Sequence, residues 1–358
     1  AMPDVAPASA GGFSPPLLRQ LQLFARAGSR SSFDGFITSP LIRERAALAL
    51  QSVSPTRLED FGECPQKFFF KEILGVRDFD DPERDVQINR REKGTLDHRI
   101  LERFYREAPA GEPLDGALDE RIERIVDEEF DAFEEKAPAW NRAMRAIERR
   151  ATKRILRDFL KVDLADLSSN SLTPSRFEYR FGSKHRDHVP DHPDAFIVDV
   201  DGVQLRVEGT IDRIDEGDGR YRIIDYKGGK ALRHVQLGDK IDRGVRLQLA
   251  LYAMAISDFF GIEPEMVSGI IRPVASTSIE PKKFAFELGE KTDGLRATLT
   301  TFVQSILRGY FPAFPDEDDF KSCTYCPVNH SCRTRHDARE RREALRSGEP
   351  LALLRELL

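Results

Sequence analysis

The chain has 358 residues, 40% of them hydrophobic and 32% charged, and a net charge of −6 at neutral pH. This composition is ordinary for a soluble protein with one large domain or two smaller ones. No stretch approaches the roughly eighteen apolar residues of a membrane-spanning helix, so the sequence predicts no transmembrane segment. The acidic excess argues only weakly against a nucleic-acid partner, because local basic patches matter more than net charge.

Residues 1–50 are expected to form a loose N-terminal extension that carries helices. Residues 1–16, AMPDVAPASAGGFSPP, lack the basic start and apolar core of a secretory signal, so we expect a cytoplasmic protein. The segments PPLLRQLQLFARAG and LIRERAALALQ have amphipathic helix patterns. The next segment, SPTRLEDFGECPQKFFFKEILG, predicts a helix capped by Ser54, with Pro55 in its first turn, and then an aromatic-rich helix.

Residues 84–165 are predicted to form a helical, strongly charged insertion. The segment LDERIERIVDEEFDAFEEK is acidic, whereas WNRAMRAIERRATKRILRDFLK carries basic side chains at steps of three and four residues, which places them on one helix face. These basic residues are Arg142, Arg145, Arg149, Lys153 and Arg157. Two interpretations are open: a solvated helix face, or a stripe that binds the phosphates of a nucleic acid.

From about residue 175 the pattern changes to the two-residue alternation of β-strands. The strand segments are SRFEYRFG, AFIVDVDGVQLRVEGTIDRID, YRIIDYKGG, EMVSGIIRPV and KKFAFEL, and EGDG is predicted to be a hairpin turn. Helical patterns return in VRLQLALYAMAISDFFG and GLRATLTTFVQSILRGYF. Mixed strands with flanking helices predict an α/β (α+β) fold, with a central mixed β-sheet over residues 175–290.

The predicted hairpin brings acidic and basic side chains to one end of the sheet. If the turn covers residues 217–220, Asp212 lies opposite Asp225, and side-chain alternation puts Lys227 on the same face as Asp225. Two carboxylates this close repel, so a proton, an arginine or a metal ion must stabilise them. Hard cations such as Mg²⁺ prefer these oxygen ligands. The alternative is a surface network in which Asp212 pairs with Arg213 or Lys227.

The cysteines form a pattern that is split along the sequence. Three of the four lie in CTYCPVNHSC, a C-x2-C-x5-C arrangement, and the fourth lies far upstream in GECPQKFFF. Two cysteines separated by two residues can bind one metal centre, and a third and fourth thiolate complete tetrahedral sulfur ligation. The spacing does not separate zinc from an iron–sulfur cluster. Four unrelated buried thiols are the alternative.

The segment GTIDRIDEGDGRYRIIDYKGGK resembles the core of the PD-(D/E)XK nuclease superfamily, in its RecB-like branch. Other segments resemble parts of that branch in the same chain order: CPQKFFFKEIL, GTLDHRILERFY, LQLALYAMAI and CTYCPVNHSC. Together they cover roughly residues 54–335. Their order, and the length of the chain, are similar to the nuclease domain of AddB-type subunits of bacterial helicase–nucleases. The resemblance implies a PD-(D/E)XK core with a large helical insertion and an iron–sulfur staple.

The resemblance also implies a site for one or two Mg²⁺ or Mn²⁺ ions. Its ligands would be His98, Asp212, Asp225 and the backbone carbonyl of Tyr226. Without the resemblance, a lone helix histidine such as His98 would be interpreted as structural. We expect the ions to polarise the scissile phosphate and to supply a hydroxide.

The remaining site residues follow from the same resemblance. Lys227 would position the attacking nucleophile. Gln248 and Tyr252, four residues apart on one helix face, would line the path of the strand or hold the catalytic lysine. Glu178 and Glu208 are further acidic residues that could equally be exposed strand positions, and we leave them outside the ligand set.

In this family the split cysteines hold a four-iron four-sulfur cluster, which moves the expectation from zinc to iron–sulfur. The ligands would be Cys64, Cys323, Cys326 and Cys332. Because such a cluster closes a very long loop, the resemblance implies a structural role rather than electron transfer.

These features predict a nuclease domain over residues 51–335, with the cysteine cluster at 320–335 and a basic helical tail at 336–358. The favoured function is a Mg²⁺- or Mn²⁺-dependent deoxyribonuclease, an exonuclease rather than an endonuclease, acting on single-stranded DNA or DNA ends in repair, recombination or defence. The sequence contains no G-x4-G-K-[ST] phosphate loop, so the chain is either a nuclease domain of a longer protein or a stand-alone relative, and a helicase subunit or domain is one candidate partner beside DNA. The alternatives are a catalytically silent DNA-binding or partner-docking module and a zinc-stabilised scaffold.

Overall fold

The structure, a computed structural model, describes most of the chain between residues 35 and 313. The described residues are 35–37, 39–77, 88–108, 117–136, 141–182, 189–200, 202–228, 237–242, 244–274 and 285–313, with Cys323, Cys326 and Val328. The predicted loose N-terminus with its first helix, Cys332 and the basic tail lie outside these residues. No helix among the described residues is long and apolar enough to cross a membrane.

Most of the described helices coincide with helical patterns of the sequence, and the short helix Leu237–Asp242 is one that the sequence did not predict. In chain order they are α1 (Pro40–Leu50), α2 (Pro55–Glu63), α3 (Pro65–Phe68, continued by a π-helical turn over Phe69–Ile73), α4 (Arg90–Arg106), α5 (Leu118–Lys136), α6 (Arg142–Ser169), α7 (Leu237–Asp242), α8 (Gln248–Phe260) and α9 (Leu288–Arg308). A short 3-10 turn covers Pro264–Met266.

The described strands occupy the segments with two-residue alternation. They are β1 (Thr173–Phe181), β2 (Phe196–Val200), β3 (Val203–Val207), β4 (Gly209–Gly217), β5 (Arg220–Gly228), β6 (Val267–Val274) and β7 (Ala285–Glu287). The long pattern from Phe196 to Gly217 is divided into β2, β3 and β4. A turn at Gly202 separates the first two of these strands.

The chain divides into two compact units. The smaller unit draws on Ala1–Ala49, Asp60–Arg77 and Thr301–Leu358, and the larger on Leu50–Glu59 and Asp78–Thr300. In the smaller unit the Phe61 ring packs on Phe302 and Phe68, with ring centroids 4.8 Å and 5.6 Å away. The Phe68 ring stacks on Phe311 at 6.3 Å. These buried rings, brought together from distant segments, form the core of that unit.

The larger unit is built on a five-stranded sheet in the order β1-β4-β5-β6-β7. Neighbouring strands are antiparallel except for β5 and β6, which pair in parallel. Parallel neighbours need a crossover connection, and α7 and α8 lie between β5 and β6 in the sequence. The structure therefore confirms the predicted central mixed sheet with flanking helices. Strands β2 and β3 form a separate two-stranded ribbon.

The helices α5 and α6 are joined by ion pairs between their acidic and basic faces. These pairs include Arg149–Asp131 (2.6 Å), Lys153–Asp127 (2.7 Å) and Arg157–Asp119 (3.1 Å), and Arg157 also pairs with Glu123. A nucleic-acid phosphate would have to compete with these carboxylates for the predicted basic stripe. The role of that stripe in binding DNA stays a prediction, although four of its five cations, those of Arg145, Arg149, Lys153 and Arg157, already have carboxylate partners within the larger unit.

Candidate functional site

The hairpin of β4 and β5 has the register that the sequence predicts. Glu216 pairs with Tyr221, and the ladder continues to Arg213 opposite Ile224. The next residues along the two strands are Asp212 and Asp225. Their carboxylates therefore lie at the end of the ladder, at the centre of the sheet, where two adjacent strands present acidic side chains.

A group of possible metal ligands forms around Asp212. Within the described residues, His98, Glu178 and Asp212 each offer an atom, and these atoms lie within 4.8 Å of one another. Nδ1 of His98 lies 3.6 Å from Oδ1 of Asp212 and 3.7 Å from Oε1 of Glu178. All three residues are half-buried. Helix α4 supplies the imidazole, β1 supplies Glu178 and β4 supplies Asp212.

Glu178 belongs to this group although the sequence interpretation left it outside the ligand set. Its neighbours in β1 pair as Phe177–Arg213 and Tyr179–Ile211, so Glu178 lies opposite Asp212. Its φ of +48° is in the left-handed region, which costs a non-glycine residue roughly 1–2 kcal/mol. The β1–β4 register would have identified it, but a pairing between strands so far apart in sequence cannot be read from local periodicity.

The backbone of Tyr226 contacts two members of the group. Its N–H donates a 2.8 Å hydrogen bond to Oδ2 of Asp212. Its carbonyl oxygen lies 3.3 Å from Nε2 of His98, which donates to it. The carbonyl that the sequence interpretation assigned as a ligand therefore lies beside the imidazole.

Asp225 and Lys227 form an ion pair at the end of β5. Nζ of Lys227 lies 2.8 Å from Oδ1 of Asp225, which is nearly fully buried, while the lysine side chain is 41% exposed. Burial acts to lower the pKa of Lys227, but the charge and hydrogen bond of Asp225, with the charges of Asp212 and Glu59, together outweigh burial and raise the pKa. Lys227 therefore carries its proton, as an ammonium that a phosphate can approach from solvent.

The electrostatics of the site are dominated by crowded acidic groups. Burial, followed by the charge of Asp225, raises the pKa of Asp212 to about 7. Burial acts to lower the pKa of His98, but its hydrogen bond to Glu178 and the charge of Asp212 raise it to about 9. Protons thus offset the repulsion between the carboxylates, and a divalent cation could do the same. Imidazole nitrogen, carboxylate and carbonyl oxygens are donors that suit Mg²⁺ or Mn²⁺.

Gln248 and Tyr252 lie on the first turns of α8, as predicted. The Tyr252 ring is buried against Gly209, where a Cβ atom would lie 2.4 Å from the Tyr252 hydroxyl oxygen. Burial, together with the charges of Asp212 and Asp225, raises the pKa of Tyr252. The phenol is therefore close enough to the acidic cluster to sense its charge.

The N-terminus of α8 is bound by Glu59, a residue that sequence reasoning missed. Oε1 of Glu59 accepts hydrogen bonds of 2.8 Å from the backbone N–H groups of both Leu247 and Gln248. Oε2 lies 3.7 Å from Nη1 of Arg246. These contacts fix the start of the helix that carries Gln248 and Tyr252. No local pattern could have revealed a helix cap supplied from such a distance along the chain.

Three of the four cysteines are among the described residues. Cys64, Cys323 and Cys326 are partly buried and belong to the smaller unit. The N–H of Cys326 donates a 3.2 Å hydrogen bond to the carbonyl of Cys323, so these two cysteines lie close together. Cys332 lies outside the described residues.

Comparison with known proteins yields a family match that covers most of the chain. The sequence model of the PD-(D/E)XK nuclease superfamily matches residues 52–333. This span includes every site residue discussed above.

Several curated relatives are the B subunits of ATP-dependent helicase/deoxyribonucleases. The protein of Clostridioides difficile strain 630 is 28% identical over 59% of this chain, and that of Clostridium tetani is 29% identical over 57%. The protein of Clostridium acetobutylicum is 25% identical over 63% of the chain. These alignments cover only 18% or 19% of the relatives, so the chain spans less than a fifth of their length.

Proposed function

We propose that this chain, which belongs to the PD-(D/E)XK nuclease superfamily, is a metal-dependent deoxyribonuclease that hydrolyses phosphodiester bonds in DNA. The observation that carries the proposal is that His98 of α4, Asp212 of β4, and Asp225 and Lys227 of β5 lie together. A buried acidic cluster beside an accessible ammonium combines a cation site with an anion site.

The cation would be held by His98, Asp212, Asp225 and the backbone carbonyl of Tyr226, with Glu178 as an additional ligand. When bound, Mg²⁺ or Mn²⁺ supplies Lewis-acid polarisation of the phosphate and lowers the pKa of a coordinated water. The raised pKa of Asp212, caused first by burial, and of His98, raised by Glu178 and Asp212 against burial, mean that these residues release protons when they become ligands.

Lys227 contributes a fixed positive charge next to this cluster. Because Asp225 holds its ammonium at 2.8 Å and keeps it protonated, Lys227 serves to orient the attacking water and to stabilise charge that develops on the phosphate. A general-base role would require the lysine to lose its proton. Gln248 and Tyr252 support this end of the site from α8.

The proposed substrate is single-stranded DNA or DNA ends, with exonucleolytic cleavage in repair or recombination. The names of the relatives, each of which includes both helicase and deoxyribonuclease, support DNA as the substrate and a helicase as the associated activity. The sequence has no G-x4-G-K-[ST] stretch, so strand separation would come from a helicase partner or from a helicase domain.

We also propose that Cys64, Cys323, Cys326 and Cys332 hold a four-iron four-sulfur cluster with a structural role. Three of them belong to one compact unit, and their thiolates are suitable ligands for iron or zinc. Elemental analysis of the anaerobically purified protein tests this. Iron with acid-labile sulfide, lost in Cys326→Ser, is expected; stoichiometric zinc without iron would overturn it.

Degradation of linear single- and double-stranded DNA with Mg²⁺ or Mn²⁺ tests the proposed activity. Lys227→Ala should abolish cleavage and retain DNA binding. The matched control is Lys161→Ala, which removes an exposed lysine of α6 and should cut as the native protein does. Unchanged cleavage by Lys227→Ala would refute the assigned site. If the native chain binds DNA but cuts none with either metal, it is a silent binding module.

A further inference from the structure

A network of buried ions lies behind the candidate site. Arg213 is fully buried, and it follows Asp212 in β4, so its side chain points to the opposite face of the sheet. Its Nη1 atom donates to Oδ2 of Asp163 at 2.7 Å, and its Nη2 atom donates to Oδ2 of Asp215 at 3.1 Å. The guanidinium of Arg213 therefore pairs with two buried carboxylates, those of Asp163 and Asp215.

Two further arginines complete the network. Arg222 binds Asp215 at 3.1 Å and Asp166 at 2.7 Å, and Arg272 also pairs with Asp166. Three arginines and three aspartates balance in charge when Asp163 and Arg213 are included. Buried ions are stable only in well-fixed geometry, because each unpaired charge carries a large desolvation penalty. The network is therefore a rigid support rather than a mobile surface cluster.

Tyr226 connects this network to the candidate site. Its hydroxyl accepts a 2.8 Å hydrogen bond from Nη1 of Arg213 on one face of the sheet. Its own N–H and carbonyl contact Asp212 and His98, at 2.8 Å and 3.3 Å. The buried ring also packs edge-on against His98, with ring centroids 5.6 Å apart. One residue therefore has its side chain in the ion network and its peptide groups in the site.

We propose that Arg213 is a positioning residue that acts through the Tyr226 hydroxyl to set the divalent-metal affinity of the site. This inference rests on the proposed function, since it assumes that the site binds a divalent ion. With its phenol held by a guanidinium that is itself held by Asp163 and Asp215, Tyr226 has little freedom to move its carbonyl. Partners that orient metal ligands typically change metal affinity about 10- to 100-fold when removed.

Tyr226→Phe tests the connection, because it removes one hydroxyl and keeps the ring. The control is Tyr105→Phe, which removes the other tyrosine hydroxyl bound in this network, the donor to Asp163. Tyr105 is also buried, and its ring contacts the Arg213 guanidinium at 4.7 Å. Each variant removes one buried hydroxyl that is hydrogen-bonded to the ion network. Within the described residues, the peptide groups of Tyr226 contact Asp212 and His98, whereas those of Tyr105 do not.

The measurement is the dissociation constant of Mn²⁺, titrated into the metal-free protein without DNA, alongside the thermal midpoint of unfolding. Tyr226→Phe is expected to weaken Mn²⁺ binding about tenfold, and Tyr105→Phe to change it less than about twofold, at similar losses of thermal stability. Arg213→Lys provides a second variant. Lysine keeps the buried positive charge but lacks the planar guanidinium group. Arg213→Lys should therefore weaken Mn²⁺ binding as Tyr226→Phe does.

The outcomes separate this inference from the proposed function. If native protein binds Mn²⁺ and cuts DNA while Tyr226→Phe binds Mn²⁺ as tightly as native, only the inference fails. It also fails if both tyrosine variants weaken binding equally, because the network would then act through general stability. If the native protein binds no Mn²⁺ at millimolar concentration, the proposed function and the inference both fail.

Discussion

Nδ1 of His98 lies 3.6 Å from Oδ1 of Asp212, and each of these groups holds its proton more tightly than it would in water. Burial is the largest cause of the raised pKa of Asp212, with Asp225 adding to it. For His98, Glu178 and Asp212 raise the pKa against the effect of burial. The site therefore favours positive charge, whether a proton or a metal ion supplies it.

The metal-free protein should lose stability as the pH rises above neutrality. The folded-state pKa of His98 is about 9, above the unfolded value of about 6.5, so its stabilising contribution is complete below about pH 6.5. That contribution is lost as the pH rises through about 9. The thermal midpoint of unfolding, measured in EDTA from pH 6 to 10, should fall over this window. The same measurement with excess Mg²⁺ in place of EDTA should show a smaller fall.

A comparison of two histidine variants separates this effect from general alkaline unfolding. His98→Asn should flatten the pH dependence in EDTA. His192→Asn removes an imidazole that stacks on Phe259 at 3.8 Å and should retain the native dependence. Equal slopes for both variants would contradict the assignment to His98.

Loss of the Glu59 carboxylate should impair cleavage through α8. Glu59→Ala removes the acceptor from two backbone N–H groups, one buried and one partly buried, which should lower the free energy of unfolding by about 1–3 kcal/mol. Cleavage should fall as well, since Gln248 and Tyr252 lie on the helix that Glu59 anchors. Glu59→Gln keeps an oxygen acceptor and should fall between Glu59→Ala and the native protein. Denaturant unfolding and DNA degradation measure the two effects.

The control for Glu59 is Glu120→Ala, which removes an exposed carboxylate from the first turn of α5. It should change the free energy of unfolding by no more than about 0.5 kcal/mol and leave cleavage unaltered. Native-like activity in Glu59→Ala would mean that the position of α8 does not depend on this cap.

Two glycine substitutions should change the free energy of unfolding in opposite directions. Gly209→Ala would place a Cβ atom 2.4 Å from the Tyr252 hydroxyl oxygen and 2.6 Å from a ring carbon, so it should destabilise the protein by about 1–3 kcal/mol. Gly94→Ala, in helix α4, meets no atom within 4 Å. It should stabilise the protein by up to about 1 kcal/mol, since alanine favours helix formation. Denaturant unfolding of both variants measures the contrast.

The basic face of α6 should contribute to stability rather than to DNA binding. Arg149→Ala with Lys153→Ala removes cations already paired with Asp131 and Asp127. The slope of DNA affinity against salt concentration should therefore stay unaltered, while unfolding free energy falls by at most about 1 kcal/mol for each pair. A shallower salt slope in the double variant would instead assign these residues to a phosphate contact.

The local features of the site were accessible from sequence, whereas its long-range contacts were not. The hairpin turn and the two-residue period placed Asp212, Asp225 and Lys227 together, because both rules act over a few residues. His98 required the resemblance, since nothing local distinguishes it from a structural histidine. Glu178 and Glu59 depend on β1–β4 register and on packing between α2 and α8, which no short window contains.

The charged helices α5 and α6 show a different limit of prediction from sequence. Periodicity correctly predicted an acidic helix and a basic one, but each was considered by itself. Arg149 and Lys153 could be interpreted only once α5 was known to supply Asp131 and Asp127. Whether a charged face binds a ligand or a neighbouring helix is decided by tertiary structure.

The smaller unit is assembled from three separate segments of the chain, and this has a consequence for how it folds during synthesis. Its core unites Phe61 and Phe68 with Phe302 and Phe311, so this core cannot close until the ribosome has released the later segment. Phe61 and Phe68 lack their later partners while nearly all of the larger unit is translated. During that interval they are exposed apolar surface, the kind of surface that chaperones recognise in nascent chains. Co-translational folding of this protein should therefore begin with the sheet and end with the aromatic core.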